Sequence, residues 1–492
     1  MAHQAHNIPW HLLASNLEWR TPTPYDGFVT NFYPRMKPNQ ARDLTHFVDT
    51  FIKNLGEHAA CERKKYPEHY DIPQASDVIL DESTARRISP TVRRWRGWCI
   101  WPLKKNCTSA KCRESKYNPR SSYDCICQCE LIPYEERLGA AFLREPEDDY
   151  MEYRDTFKSD AYFNIEIVKT LLLYGEMDPI LRICAHPDNH LKFWFHGSFF
   201  DGPSEMGWRR ICQQMLRVYI CLNVAYCFPQ NWDSASGKTE KNDYRNTRCY
   251  QRTLVKCGGP RYWDQRTYPH AQFFGMERSH YPSKNTGRTK HWLLDEKYHI
   301  NVKYSDQPRY MIGPRDAEID NVAGLYGRAP IDEFLSLWIP DKSLHEPCES
   351  EVYDVRQTLC SLGLPVELAL DILTFADYIP QPRKLKVPYD PLHPSNREAL
   401  GRYLKYCWQT LVRCFLMATE LGMDPEDVEY PQNGMNWKNL IGHAMIDLFQ
   451  YHKDGKDAPS WKDKNRFPRP WYRHESALND DGEWIGPLIF FV

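Results

Sequence analysis

The 492-residue chain has no excess of either charge: 63 lysines and arginines stand against 65 aspartates and glutamates. A chain so balanced has no global field to draw in nucleic acid or a membrane surface, so any electrostatic partner must be met by a local patch. Long apolar runs are missing as well. The longest, Val218 to Phe228, is too short to span a bilayer and reads as a buried strand or helix. Residues 1–20 do not join a basic start to an apolar stretch, so the expectation is a soluble, cytoplasmic protein with no membrane partner. In that compartment the 17 cysteines read as reduced thiols.

Several catalytic signatures are also missing, and each absence narrows the chemistry. No GxGxxG dinucleotide loop occurs. SASGKTEK (234–241) ends like a phosphate-binding loop, but Trp232 stands where its first glycine belongs, so the backbone cradle is lost. Gly202-Pro203-Ser204-Glu205-Met206-Gly207 is one residue too long for a GxSxG nucleophile elbow. Neither adenylate-binding signature of a class I synthetase is found. The chain thus shows no way of activating a substrate with ATP. If it forms a bond, the substrate arrives already activated, and neither cofactor nor resident metal is expected.

What the chain does have is aromatic mass, with 16 Trp, 30 Tyr and 21 Phe available for a large core. Helical spacing of Leu44, Phe47, Val48, Phe51, Ile52 and Leu55 predicts a helix over about 38–65. Regular periodicity fades over 82–120. A helical region is expected from Pro133 or Pro146 onward, continuing through 160–176. LKFWFHGSFF (191–200) and RVYICLNVAYCF (217–228) look like strands, and residues 229–320 read as long loops. From about Glu351 three helices are expected: one begun by Pro365 with Leu368, Ile372 and Phe375 on its inner stripe, one over Asn396–Leu421, and one over Trp437–Tyr451. The expected fold is α-rich α+β. An aromatic-rich, mixed N-terminal and central region (1–345) would carry the chemistry, with a helical C-terminal subdomain over 346–492.

Two constellations stand out. Asp148-Asp149-Tyr150-Met151-Glu152 is a DDxxE cluster, and on a helix Asp148, Asp149 and Glu152 share one face. Such a face can hold a cation, an ammonium or a guanidinium, or take a proton from an amine. The same residues after Pro146 also suit an ordinary helix start, whose dipole favours acids. Just upstream, Arg86, Arg87, Arg93, Arg94, Arg96, Lys104 and Lys105 belong to a basic run reaching Arg120, opposed only by Glu114 and interleaved with Trp95, Trp98, Trp101 and Tyr117. Cations suit phosphates and aromatic faces suit unpaired bases, which fits single-stranded or looped RNA; a solvated basic loop pinned by its tryptophans is the other possibility.

Weaker signals remain. Cys99, Cys107, Cys112, Cys125, Cys127 and Cys129 lack the C-x2-C spacing of zinc knuckles. His186, His190 and His196 fall in a turn-rich stretch. DDxxE without a second metal motif on a facing helix does not make a terpene cyclase. LPVELALDIL (364–373) is similar to the start of an F-box, LPxELxxxIL, which would make the chain an adaptor or interaction protein. A non-catalytic RNA-binding module with structural zinc is a further alternative.

Taken with the absence of an ATP site, the DDxxE cluster and the basic-aromatic run give the chain a resemblance to the fungal arginine-containing cyclodipeptide synthases, whose DDxxE signature is matched by Asp148, Asp149 and Glu152. The resemblance implies an aminoacyl-tRNA-dependent transferase of secondary metabolism. It would join arginyl-tRNA and a second aminoacyl-tRNA into a cyclic Arg-Xaa diketopiperazine. The three carboxylates would be catalytic, and the basic run would carry tRNA.

Overall fold

The computed structural model describes residues 7–20, 31–35, 37–94, 132–144, 160–195, 207–239, 242–247, 249–250, 253–254, 269–274, 349–376, 378, 385–387, 390–423, 435–449, 472–478 and 484–491. A short helix, Trp10–Ser15 (α1), leads into β1 (Leu17–Arg20), which pairs antiparallel with β2 (Asn31–Pro34). The expected first long helix runs Gln40–Arg63 (α2). Leu44, Phe47, Val48, Phe51 and Leu55 return every three or four residues and form its buried face.

The fading periodicity after residue 82 predicts irregular chain, yet Glu82–Arg94 is a helix (α3). Asp81 starts it by accepting the Thr84 backbone N–H at 2.7 Å, and Ala85, Ile88 and Val92 form its buried side. Pro90 hides the helix from a sequence reading, because proline removes a backbone donor in mid-helix. Beyond Pro133 come a 3-10 turn, Tyr134–Arg137, and a single helical turn, Gly139–Phe142 (α4). Helix α5, Asp160–Tyr174, lies where helix was expected and ends at Gly175, whose φ of 78° needs a residue without Cβ. Helix α6 spans Met177–Cys184.

The strand expected in RVYICLNVAYCF is not there. Arg209–Tyr226 is one helix (α7), and the first stretch read as strand holds a 3-10 turn at Phe193–Phe195 instead. The reason is burial on all sides. Ile211, Met215, Leu216, Val218, Ile220, Leu222 and Val224 are all inaccessible, so no polar face marks a helical period and the run imitates a core strand. After the short helix α8 (Pro269–Phe274), Glu349–Ser361 (α9) and Val366–Phe375 (α10) form a hairpin. Its turn is closed by Gly363 N–H to Cys360 O and Leu364 N–H to Leu359 O, with Gly363 at φ 93°. Arg397–Glu420 (α11) and Trp437–Phe449 (α12) follow much as expected. Tyr403, Leu404, Leu411, Val412 and Phe415 of α11 point inward. Two members of the expected inner stripe of α10 do not: Leu368 and Ile372 are about half exposed, whereas Ala369 and Leu373 are buried; the third, the Phe375 side chain, lies outside what is described. Tyr472–Leu478 (β3) pairs antiparallel with Trp484–Phe491 (β4).

This is an α-rich α+β fold. Helix α11 packs against both α2 and α7, while α12 packs on α2 and α7 from the other end of the sequence. An aromatic node fastens these layers. Trp10 meets Phe47 and Tyr219 edge-on at 5.3 and 5.5 Å, and Trp408 meets Phe51 and Tyr219 at 5.4 Å each. Edge-on rings at these separations add attraction to the area they bury.

Candidate functional site

The acidic cluster itself, Asp148, Asp149 and Glu152, lies outside the described residues, as do Trp95, Arg96, Trp98, Lys104 and Lys105. What is described is the frame on both sides of them. Helix α3 carries the first four arginines of the basic run. At 100° per residue, positions 86, 87, 93 and 94 fall on the arc opposite Ala85, Ile88 and Val92. The buried side of α3 packs on α5, the helix into which the acidic segment leads. Helix α3, which opens the basic run, and α5, which follows the acidic segment in the chain, are therefore one packed pair. Arg86 pairs with Glu82 one turn back, and Arg87 reaches Glu176 at 2.6 Å beyond the end of α5. The second bridge ties the stripe to the α5–α6 junction.

Buried charge gathers toward the other end of α5. Arg144, the last described residue before the acidic segment, donates to Glu136 at 2.7 Å and to Asn164 on α5 at 3.3 Å; Glu136 and Asn164 are buried. On another face of α5, the fully buried Lys169 donates to Glu166 at 2.7 Å. A lysine inside a core is costly unless paired, and its pairing here keeps a fixed cation and carboxylate on the helix that follows the acidic segment. Neither group featured in the sequence reading. The available signal was Asn164, Glu166 and Lys169 interrupting the apolar run NIEIVKTLLL.

A second polar network is structural in character. Lys238 Nζ lies 3.0 Å from Asp390 and 3.3 Å from Asp243, and Arg245 forks Asp243 with its Nη2 at 2.8 Å. Tyr244 donates to Asp390 at 2.9 Å and accepts the Leu392 N–H at 3.1 Å. Burial, helped by the neighbouring Tyr250 and Asp390, pushes the Tyr244 phenol well above its usual range, so it remains a donor. Two cations balance two carboxylates. Lys238, the lysine of the incomplete phosphate loop, is thus committed to carboxylates.

The remaining sequence candidates fare as follows. The six cysteines from Cys99 to Cys129 and His196 lie outside the described residues. His186 accepts the Asp188 N–H at 3.1 Å, and among the described residues no group of three His, Cys, Asp or Glu side chains is placed to hold a metal ion. No described helix is long and apolar enough to cross a membrane. A shallow groove of about 560 Å³ at the start of α11, lined by Ser395, Arg397, Glu398, Arg402 and Lys405 among others, is cationic but is built without α3 or α5.

A helix-rich protein with a buried charged cluster beside a basic helix is the class these features define. Residues 11–455 match the family described as gramillins biosynthetic cluster protein GRA5, and the chain belongs to that family. That membership makes it a cluster protein of fungal secondary-metabolite biosynthesis. No curated protein and no solved structure matches it.

Proposed function

We propose that the chain is an aminoacyl-tRNA-dependent transferase of the cyclodipeptide synthase type, acting on arginyl-tRNA and a second aminoacyl-tRNA. The observation that supports this reading is the packing of α3, which carries the first arginines of the basic run, on α5, the helix that follows the DDxxE segment in the chain. Membership of a biosynthetic-cluster family is consistent with it.

The chemistry needs no ATP. Each amino acid arrives as an ester of a tRNA terminal ribose. The α-amine of one attacks the ester carbonyl of the other, forming an amide and releasing one tRNA, whose ribose hydroxyl takes up a proton. The free amine of the dipeptidyl ester then attacks the remaining carbonyl, closing the diketopiperazine and releasing the second tRNA. The protein must hold two acceptor ends together, take a proton from an ammonium and stabilise an oxyanion. One carboxylate of Asp148, Asp149 and Glu152 takes the proton. The others hold the α-ammonium or pair bidentately with the arginine guanidinium. Arg86, Arg87, Arg93, Arg94 and Arg96, with Lys104, Lys105, Trp95 and Trp98, carry tRNA phosphates and stack the unpaired end.

Asp149→Asn and Glu152→Gln are expected to abolish the cyclic product with an unchanged far-ultraviolet circular dichroism spectrum. Undiminished product from both variants would remove the carboxylates from the mechanism. Tight tRNA binding without any diketopiperazine from the wild-type chain would instead favour a non-catalytic RNA-binding module.

A further inference from the structure

The hairpin α9–α10 exposes what a helical hairpin normally hides. Around α10, Leu368 and Ile372 form one apolar shoulder, Ala369 and Leu373 the middle, and Val366 and Leu370 the other shoulder; Glu367, Asp371, Thr374 and Phe375 complete the circle. Only the middle is covered. Ala369 and Leu373 are buried, but Val366 and Leu368 are each 50% exposed, Ile372 is 43% and Leu362 at the turn is 75%. Neither Ala369 nor Leu373 belongs to the main core cluster, and among the described elements the hairpin packs chiefly on itself. Concentrated apolar exposure of this kind marks an interaction surface.

Charge selects the occupant. Glu349, Glu351, Asp354, Glu367 and Asp371 stand on the hairpin against Arg356 alone, and that guanidinium lies 5.2 Å from the Tyr353 ring centroid. Asp371 stands one turn from Leu368, and Glu367 one turn from Leu370, so each shoulder has an acid at its flank. A second copy of the hairpin would bring like charges together, which opposes pairing. A helix whose apolar ridge is flanked by lysines and arginines matches both the shoulders and the acids beside them. We propose that α9–α10 is a docking site for a partner protein presenting such a basic amphipathic helix. The proposal is independent of the tRNA-dependent reading. It coincides with the F-box-like run of the sequence.

The test uses the full chain and two synthetic helical peptides with the same leucine ridge, one filled out with lysine and the other with glutamate, followed by fluorescence anisotropy. The lysine peptide is expected to bind and the glutamate peptide not to. Leu368→Ser with Ile372→Ser should weaken the lysine peptide by about tenfold or more. Glu367→Lys with Asp371→Lys leaves the apolar shoulders intact and should reverse the preference between peptides. Absence of binding, equal binding of both peptides, or binding unchanged by the serine pair would overturn the proposal. So would concentration-dependent dimerisation that the serine pair abolishes, because the surface would then belong to a second copy.

Discussion

Single side chains carry much of what can be tested in the described frame. The Asp81 carboxylate is held below its usual range by the Thr84 backbone N–H and then by the Thr84 side chain. Because its folded pKa is depressed, its contribution is complete above the ordinary carboxylate value near pH 4 and is lost as pH falls through the lower folded value. Asp81→Ala is therefore expected to cost about 1 kcal/mol at neutral pH, with the gap from wild type closing below about pH 4, as read from urea midpoints across pH. A gap independent of pH would mean that the cap does not act through its charge. In the buried network, Lys238→Ala leaves Asp390 and Asp243 short of a cation and should cost about 3 kcal/mol. Lys238→Met combined with Asp390→Asn should recover part of that loss. An additive loss in the double variant would show that the two residues are not coupled.

At the scale of elements, the contact between α3 and α5 is what the functional reading depends on. Replacing the arginines at positions 86, 87, 93 and 94 with glutamine should raise the tRNA dissociation constant and flatten its salt slope, because fewer counterions are released. The ion pairs of Arg86 and Arg87 are partly exposed, so their loss should change stability by less than about 1 kcal/mol. An unchanged salt slope would make the stripe a solvated face. Gly139 is a second point of control, since a Cβ there would meet the Gln74 carbonyl oxygen at 2.4 Å. Gly139→Ala should destabilise the chain by about 2 kcal/mol in a urea titration, by pushing apart the turn that carries Arg144. The sequence made α2, α11 and α12 legible because each keeps one apolar stripe against a polar face. It misled over the second half of α7, where the residues from Val218 to Ala225 are all buried, and over α3, where Pro90 breaks the pattern. In α10 the stripe Leu368–Ile372 was seen but assigned to the wrong side. Lys238 and Asp390 could not be paired from sequence, because charges 152 residues apart share no local pattern. The DDxxE cluster lies outside the described residues, and the pairs nearest to it in sequence, Arg144 with Asn164 and Lys169 with Glu166, became visible only once α5 was placed.

For the whole molecule, helices from both ends of the chain close one aromatic core around α7. Among the described residues, and apart from Arg210 of α7, buried charge is concentrated in two clusters: one on and beside α5, and one between the 238–245 loop and Asp390. The second is fully balanced by its own partners. The first lies on and beside the helix that follows the acidic segment in the chain and packs on α3, where chemistry on a cationic substrate is proposed. The account's central claim is that this neighbourhood joins two aminoacyl groups from tRNA. It is tested most directly by expressing the full chain in a host that supplies its own charged tRNAs and analysing extracts by mass for cyclic dipeptides. The account predicts an arginine-containing diketopiperazine that incorporates labelled arginine and disappears with Glu152→Gln. A soluble, folded chain that yields no such product, or the same product from wild type and variant alike, would contradict it.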